Sequence, residues 1–229
     1  MNILKLPCIV FAVLLFARCE TKAEGTLENG GRVTMNIDAV LGSQISAILQ
    51  KAGGRAGAPL LDAQYINNSL KENKAVEKAD LKQNGARGIK GEIIIKQIET
   101  ALPKNAKDFI EYKQNGNNGS MRIKIDRKNG QAVLSLISSD IQDYISTLMA
   151  PIATGEELGK DEYLELVRSV YNAALAKEIE AARFSLKLTM PAVPVSVSGG
   201  IATGKTAEFN TALLDLLVLE KPVVYEIVW

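Results

Sequence analysis

The chain has 229 residues, with 27 basic and 26 acidic side chains, aromatics at 5% and no histidine. Balanced charge and so few rings exclude an extended nucleic-acid face. The missing histidine removes every Ser-His and Cys-His pair, the commonest general base and the commonest zinc ligand.

The first segment reads as an address. Lys5 precedes an apolar run from Leu6 to Ala17, and Ala17-Arg18-Cys19 leads into polar residues from Glu20 to Gly25. A positive start, a short greasy middle and a small-residue exit form an export signal. The run is too short to span a bilayer, which takes about 20 apolar residues. Both cysteines, Cys8 and Cys19, lie in this leader. The exported part therefore has no disulfide framework. Cys19 stands where lipoprotein signals place the acylated residue, and Phe16-Ala17-Arg18-Cys19 resembles the relaxed lipoprotein box of spirochaete-type proteins. On this reading residues 1–19 are a lipoprotein-type signal and Cys19 is the lipidation site. The alternative is an ordinary signal cut at Ala17-Arg18-Cys19 or Thr21-Lys22-Ala23, releasing a soluble secreted or periplasmic protein.

Residues 20–31 carry Gly25, Gly30 and Gly31 and read as a flexible tether. Residues 32–229 read as one globular domain. Val33, Met35, Ile37, Ala39 and Leu41 alternate with polar residues, the period of a half-buried strand. Ser43 is placed to cap a short helix carrying Ile45, Ile48 and Leu49, and a weak helix is expected over 60–70. Strands are expected over 76–83, 89–98, 109–113 and 121–126. Asn129-Gly130 reads as a turn into a further strand over 131–137, so that 121–137 forms a hairpin.

Ser139 and Gln142 match a capping box, and Ile141, Tyr144, Ile145, Leu148 and Met149 fall on one helical face. A single long amphipathic helix is expected over 160–182, with Tyr163, Leu164, Val167, Val170, Tyr171, Ala174 and Ile179 as its stripe. Paired acids Glu156-Glu157 and Asp161-Glu162 stand at helix starts, where they favour the helix dipole over catalysis. Strands return over 184–190, 193–197 and 223–229, while 213–219 is ambiguous between strand and helix. The sum is an α+β fold: a mostly antiparallel twisted β-sheet packed against a helical pair.

Gly199-Gly200-Ile201-Ala202-Thr203-Gly204-Lys205-Thr206 matches the spacing of a phosphate-binding loop. Only a short stretch follows it, and Asp215 lies inside an apolar run, so a glycine-rich hairpin turn is the expected structure. A P-loop NTPase is the remote alternative.

The C-terminal part runs Phe184-Ser-Leu-Lys-Leu-Thr-Met-Pro191, a Gly199-Gly200 turn, Ala207-Glu-Phe-Asn210, Leu213-Leu-Asp-Leu-Leu217 and Tyr225-Glu-Ile-Val-Trp229. This cadence resembles the end of exported LppM-type lipoprotein domains. The resemblance implies an α+β envelope protein associated with lipid binding, and brings no catalytic residue. The expectation is a non-enzymatic cell-envelope lipoprotein with no cofactor and no metal, held to a membrane by its N-terminal lipid and binding a lipid or other hydrophobic ligand. Tyr144, Leu148, Val167 and Tyr171 are the candidate ligand-lining residues. The other reading is a structural or protein-interaction lipoprotein with no small-molecule ligand.

Overall fold

A computed structural model describes residues 21–52, 59–101, 106, 109–134, 142 and 145–229. Its strands in chain order are β1 (Thr21–Leu27), β2 (Val33–Val40), β3 (Val76–Gln83), β4 (Gly88–Ile95), β5 (Ile110–Asn115), β6 (Asn118–Ile125), β7 (Arg183–Thr189), β8 (Ser196–Ser198), β9 (Ile201–Thr203), β10 (Thr206–Ala212) and β11 (Val223–Val228). The helices are α1 (Ser43–Ala52), α2 (Ala63–Lys71), α3 (Ile98–Ala101), α4 (Gly130–Leu134), α5 (Pro151–Thr154), α6 (Lys160–Val170), α7 (Ala173–Ala181) and α8 (Leu213–Val218). Seven strands form one mixed sheet in the order β3-β4-β2-β1-β7-β10-β9, and four form a second in the order β5-β6-β11-β8. The α+β class expected from the sequence holds.

The stretch read as a tether is instead the middle strand of the large sheet. β1 pairs antiparallel with β2 and parallel with β7. Thr21, Ala23, Gly25 and Leu27 are buried while Lys22, Glu24 and Thr26 are exposed. The alternation escapes notice because its buried members are small. Gly25 is needed there: a Cβ would lie 2.5 Å from Met35 Sδ and 2.6 Å from Leu188 Cδ2, side chains that reach across from both neighbouring strands.

One face of the large sheet is apolar. Met35, Ile37, Ile89, Ile93, Phe184, Leu186 and Phe209 are all buried in the shared core. α2 lies along the outer strand β3, tied by Asn67, whose side chain accepts from Leu81 N at 2.9 Å and donates to Leu81 O at 2.8 Å. This helix covers an edge that would otherwise be open to pairing.

The opposite face is polar and open, and its residues fall into rows set by strand register. Lys82, Lys90, Asp38 and Lys22 form the row nearest the start of β1. The next row is Asp80, Glu92, Asn36, Glu24, Lys187 and Glu208. The third contains Thr34, Thr26, Thr189, Thr206 and Thr203 on five adjacent strands. Cross-strand threonine pairs support a ladder, and the Thr189 and Thr206 hydroxyls lie 3.2 Å apart.

Two further expectations are corrected. Asn129-Gly130 does not open a strand: Gly130–Leu134 is α4. Asp126 accepts from Lys128 N and Asn129 N, and Asn129 accepts from Asp126 N, so paired Asx bonds turn the chain into a helix. Residues 135–137 lie outside the described residues, as does Ser139 of the capping-box pair. The long helix over 160–182 is two helices, α6 and α7. Asn172 leaves helical geometry at φ −172° and its side chain accepts from Leu175 N at 2.8 Å, capping α7. The ambiguous run over 213–219 folds as α8, with Leu213, Leu214, Leu216, Leu217 and Val218 all buried.

The sheets meet where β10 faces β11. The Phe209 and Tyr225 rings lie 4.9 Å apart, and the buried Thr211 and Tyr225 hydroxyls are hydrogen-bonded. Gly199 and Gly200 carry the chain from β8 in the small sheet to β9 in the large one. A Cβ on Gly199 would lie 1.9 Å from Val224 O, and one on Gly200 2.4 Å from Glu208 O, so only glycine fits at this crossing.

Candidate functional site

The ligand-lining candidates converge on the face of α6. Tyr163, Val167 and Tyr171 recur every four residues, so they stand above one another on one helical face. The Tyr163 hydroxyl donates to Leu148 O at 3.1 Å, and the Tyr171 hydroxyl donates to Thr147 O. Two tyrosines thus hold the turn at 147–148 against α6. Leu148 and Val167 are each only 1% exposed, so both are packed core residues in this structure. Tyr171 is half-buried. Tyr144 lies outside the described residues. Burial pushes the phenols of Tyr163 and Tyr171 above the ordinary tyrosine range, which keeps both hydroxyls protonated donors at neutral pH.

Residues 199–206 do not cradle phosphate. Ile201–Thr203 and Thr206–Ala212 are two strands joined by a turn at Gly204, whose φ is +57°. A phosphate-binding loop ends in a helix whose first amides face the anion; here a strand follows. Lys205 Nζ donates to Pro191 O at 2.8 Å. Asp215 pairs with Lys160. The glycine-rich hairpin expected from the sequence is what forms.

The acidic pairs at helix starts divide. Glu162 Oε2 accepts from Gly159 N at 2.7 Å and closes the first turn of α6. That is a capping role. Among the described residues no group of three or more His, Cys, Asp or Glu side chains could hold a metal ion. No described helix is long and apolar enough to cross a membrane.

A third feature is the start of β1. Thr21 and Ala23 are 0% and 1% exposed in the middle of the large sheet. Cys19, the lipidation candidate, lies outside the described residues, yet only Glu20 separates it from Thr21. A group on Cys19 is therefore within two residues of the middle strand. At the other end of the sheet the segment after β7 exposes Val193 and Val195, and Ile201 is exposed on the edge strand β9.

No family model matches the chain, and no curated protein matches it. Among solved structures, it is similar to the NMR structure of the Mycobacterium tuberculosis LppM protein folded domain. The TM-score is 0.41 at 10% identity, covering 93% of this chain and 89% of that one.

Sequence reasoning missed one site-forming residue altogether. Glu178 of α7 reaches the start of α1, where its carboxylate accepts from Gln44 N, Ile45 N and the Ser43 hydroxyl at 2.9–3.1 Å. Ser43, expected as the cap, donates to this carboxylate instead. The only local signal was Gly42, where a Cβ would lie 1.9 Å from Glu178 Oε1.

Proposed function

We propose that the chain is an exported, lipid-anchored protein of the cell envelope that acts by binding and not by catalysis. The observation that carries this is the place of β1. Cleavage after Ala23 would strip Thr21, Lys22 and Ala23 from the middle strand, which pairs on both sides from its first residues. Processing at Cys19 leaves that strand whole, as does an ordinary cut just after Cys19, but only the first makes an acylated residue its neighbour. Two or more acyl chains on one cysteine hold a protein stably, at about 0.8 kcal/mol per buried methylene. The test is labelling of the full chain in a bacterial host with an alkyne fatty acid. Label that disappears with Cys19→Ser supports the reading; an unlabelled product, beginning at Glu20 or at Glu24, overturns it.

The bound molecule is a lipid or other amphipathic ligand, met at the half-buried Tyr171 at the end of α6 and not at Leu148 and Val167, which are packed core. The tyrosine bonds to the 147–148 turn close the core there, so binding requires that this turn move. Native mass spectrometry of the mature chain, purified with lipid present, tests it: a retained adduct of lipid mass is expected, and a clean apo mass overturns it. A second reading, a protein-interaction role without a small ligand, is favoured by the exposed Val193, Val195 and Ile201. Crosslinking from those positions in the envelope tests that reading.

A further inference from the structure

The end of the large sheet at which β1 begins is unusually basic. Strand direction places there the first residues of β1, β4 and β7 and the last residues of β2, β3 and β10. Lys22, Lys82 and Lys90 share its outermost row on the open face, Arg183 begins β7, and Arg87 lies in the turn between β3 and β4. Lys82 and Lys90 are direct cross-strand partners, both exposed, and neither meets a carboxylate within 4 Å among the described residues. Like charges placed opposite each other weaken a sheet. The pair therefore acts against the fold; Asp38 stands opposite Lys90 on β2, and Asp80 and Glu92 lie one row inward, but neither lysine forms an ion pair with them. Arg87 adds a second anomaly, because its Nη1 is buried with no hydrogen-bond partner.

Three carboxylates share this end, and the neutral donors that bind them leave their charge in place. Asp62 accepts from Gln64 N and Tyr65 N, Glu178 caps α1, and Asp38 accepts from Asn84 Nδ2 at 3.0 Å. The next row inward is acidic, with Asp80, Glu92, Glu24 and Glu208. Charge is thus sorted along the strands, basic at the β1 end and acidic behind it. Tyr65, in the first turn of α2 beside this end, is 55% exposed. Amphipathic rings favour a membrane–water boundary.

We propose that this basic end is a membrane-facing surface that binds anionic phospholipid headgroups. The inference rests on anchoring at Cys19, because only Glu20 lies between Cys19 and Thr21, which puts an acyl group on Cys19 beside the β1 end. The chain length outside the described fold and the charge of the end agree on one occupant. An anionic leaflet attracts basic residues near its surface and salt weakens that attraction. The sheet stands with its strands rising from the membrane, and the apolar edge at Val193, Val195 and Ile201 points away from it.

The test uses the mature chain with Cys19→Ser, which carries no acyl group, and sedimentation with vesicles. Binding to mixed phosphatidylcholine and phosphatidylglycerol vesicles, absent on phosphatidylcholine alone and released by high salt, is the expected result. K82Q/K90Q lowers the partition coefficient about 30-fold, at about fivefold per lysine. The double variant melts no lower than the parent, since it relieves a like-charge pair. K113Q/K128Q, on the small sheet and the turn after it, leaves binding unchanged. Equal binding to both vesicles, no binding, or equal effects of the two double variants would overturn the proposal. So would displacement by inorganic phosphate at matched ionic strength, which would make the end a phosphate site. Acylation is read separately by the fatty-acid label: a chain that binds vesicles but takes no label keeps the surface and loses the anchor.

Discussion

Substituting Gly42 by alanine removes a helix cap donated from the far half of the chain. The new Cβ would lie 1.9 Å from Oε1, 2.3 Å from Cδ and 2.9 Å from Cγ of Glu178. The carboxylate must therefore leave, and with it the bonds from Gln44 N, Ile45 N and Ser43 Oγ. Loss of an N-cap costs about 0.5–2 kcal/mol, and hydrogen bonds to a charged group contribute about 1.5–3 kcal/mol. Water partly re-solvates a half-buried helix start, so the expected destabilisation is about 2–3 kcal/mol. For a chain of this size that lowers Tm by about 5–10 °C. Urea unfolding of the mature chain should show a lower midpoint at unchanged slope. The mechanism makes a sharper claim in a double-mutant cycle. In a Glu178→Ala background, Gly42→Ala should cost almost nothing further, because the cap is already gone. Additive effects of the two changes, or a Gly42→Ala variant as stable as the parent, would refute the reasoning.

Other consequences are open to measurement. Tyr225→Phe strands the buried Thr211 hydroxyl and should cost about 1–3 kcal/mol, most of it recovered when Thr211→Val is added; denaturation of the four variants checks this. Burial pushes the Tyr225 and Tyr112 phenols up to about 12, and raises Tyr163 as well. The folded state then holds these protons where the unfolded chain releases them. Stability should be full below pH 10 and fall as pH rises from about 10 towards 12. Tyrosinate absorbance that rises together with loss of circular dichroism is the expected signature, and a complete titration near pH 10 with the fold intact would contradict it. Gly199→Ala drives a Cβ into Val224 O at positive φ and should cost more than about 2 kcal/mol, read from thermal melting. Lys205→Ala removes only an exposed bond to Pro191 O; its melting should shift little, and equilibrium dialysis should show no ATP binding in either form.

Much of the sheet was legible because its strands bury one face. Val33 to Ala39 and Phe184 to Met190 alternate openly, while in the strand at 76–83 a register shift between Val76 and Lys78 interrupts the alternation. β1 was not legible, since Lys22, Glu24 and Gly25 have the composition of a linker and only its neighbours Met35 and Leu188 explain the glycine. Asn129-Gly130 has hairpin chemistry, but the Asp126 side chain competes for the same amides and wins. The break between α6 and α7 turns on one residue, Asn172, whose capping bond interrupts an otherwise continuous stripe. At the candidate site, spacing put Tyr163 and Val167 on the buried face of α6, whereas Val170 of the same stripe is exposed and Tyr171 lies past the helix end. The Glu178 cap left only Gly42 as a local signal, because its partners lie 133–135 residues away.

The parallel pairing of β1 with β7 has a consequence for when the chain can fold. Thr21 needs Phe184 beside it, so the middle of the large sheet stays open until most of the polypeptide has been made. Closing so long a loop is slow, and pairings distant in sequence delay the folding nucleus. Until then β1 has only β2 to pair with. On the proposed export reading, that delay leaves the sheet unfinished during translocation, and it closes around its own first strand only after β7 has arrived.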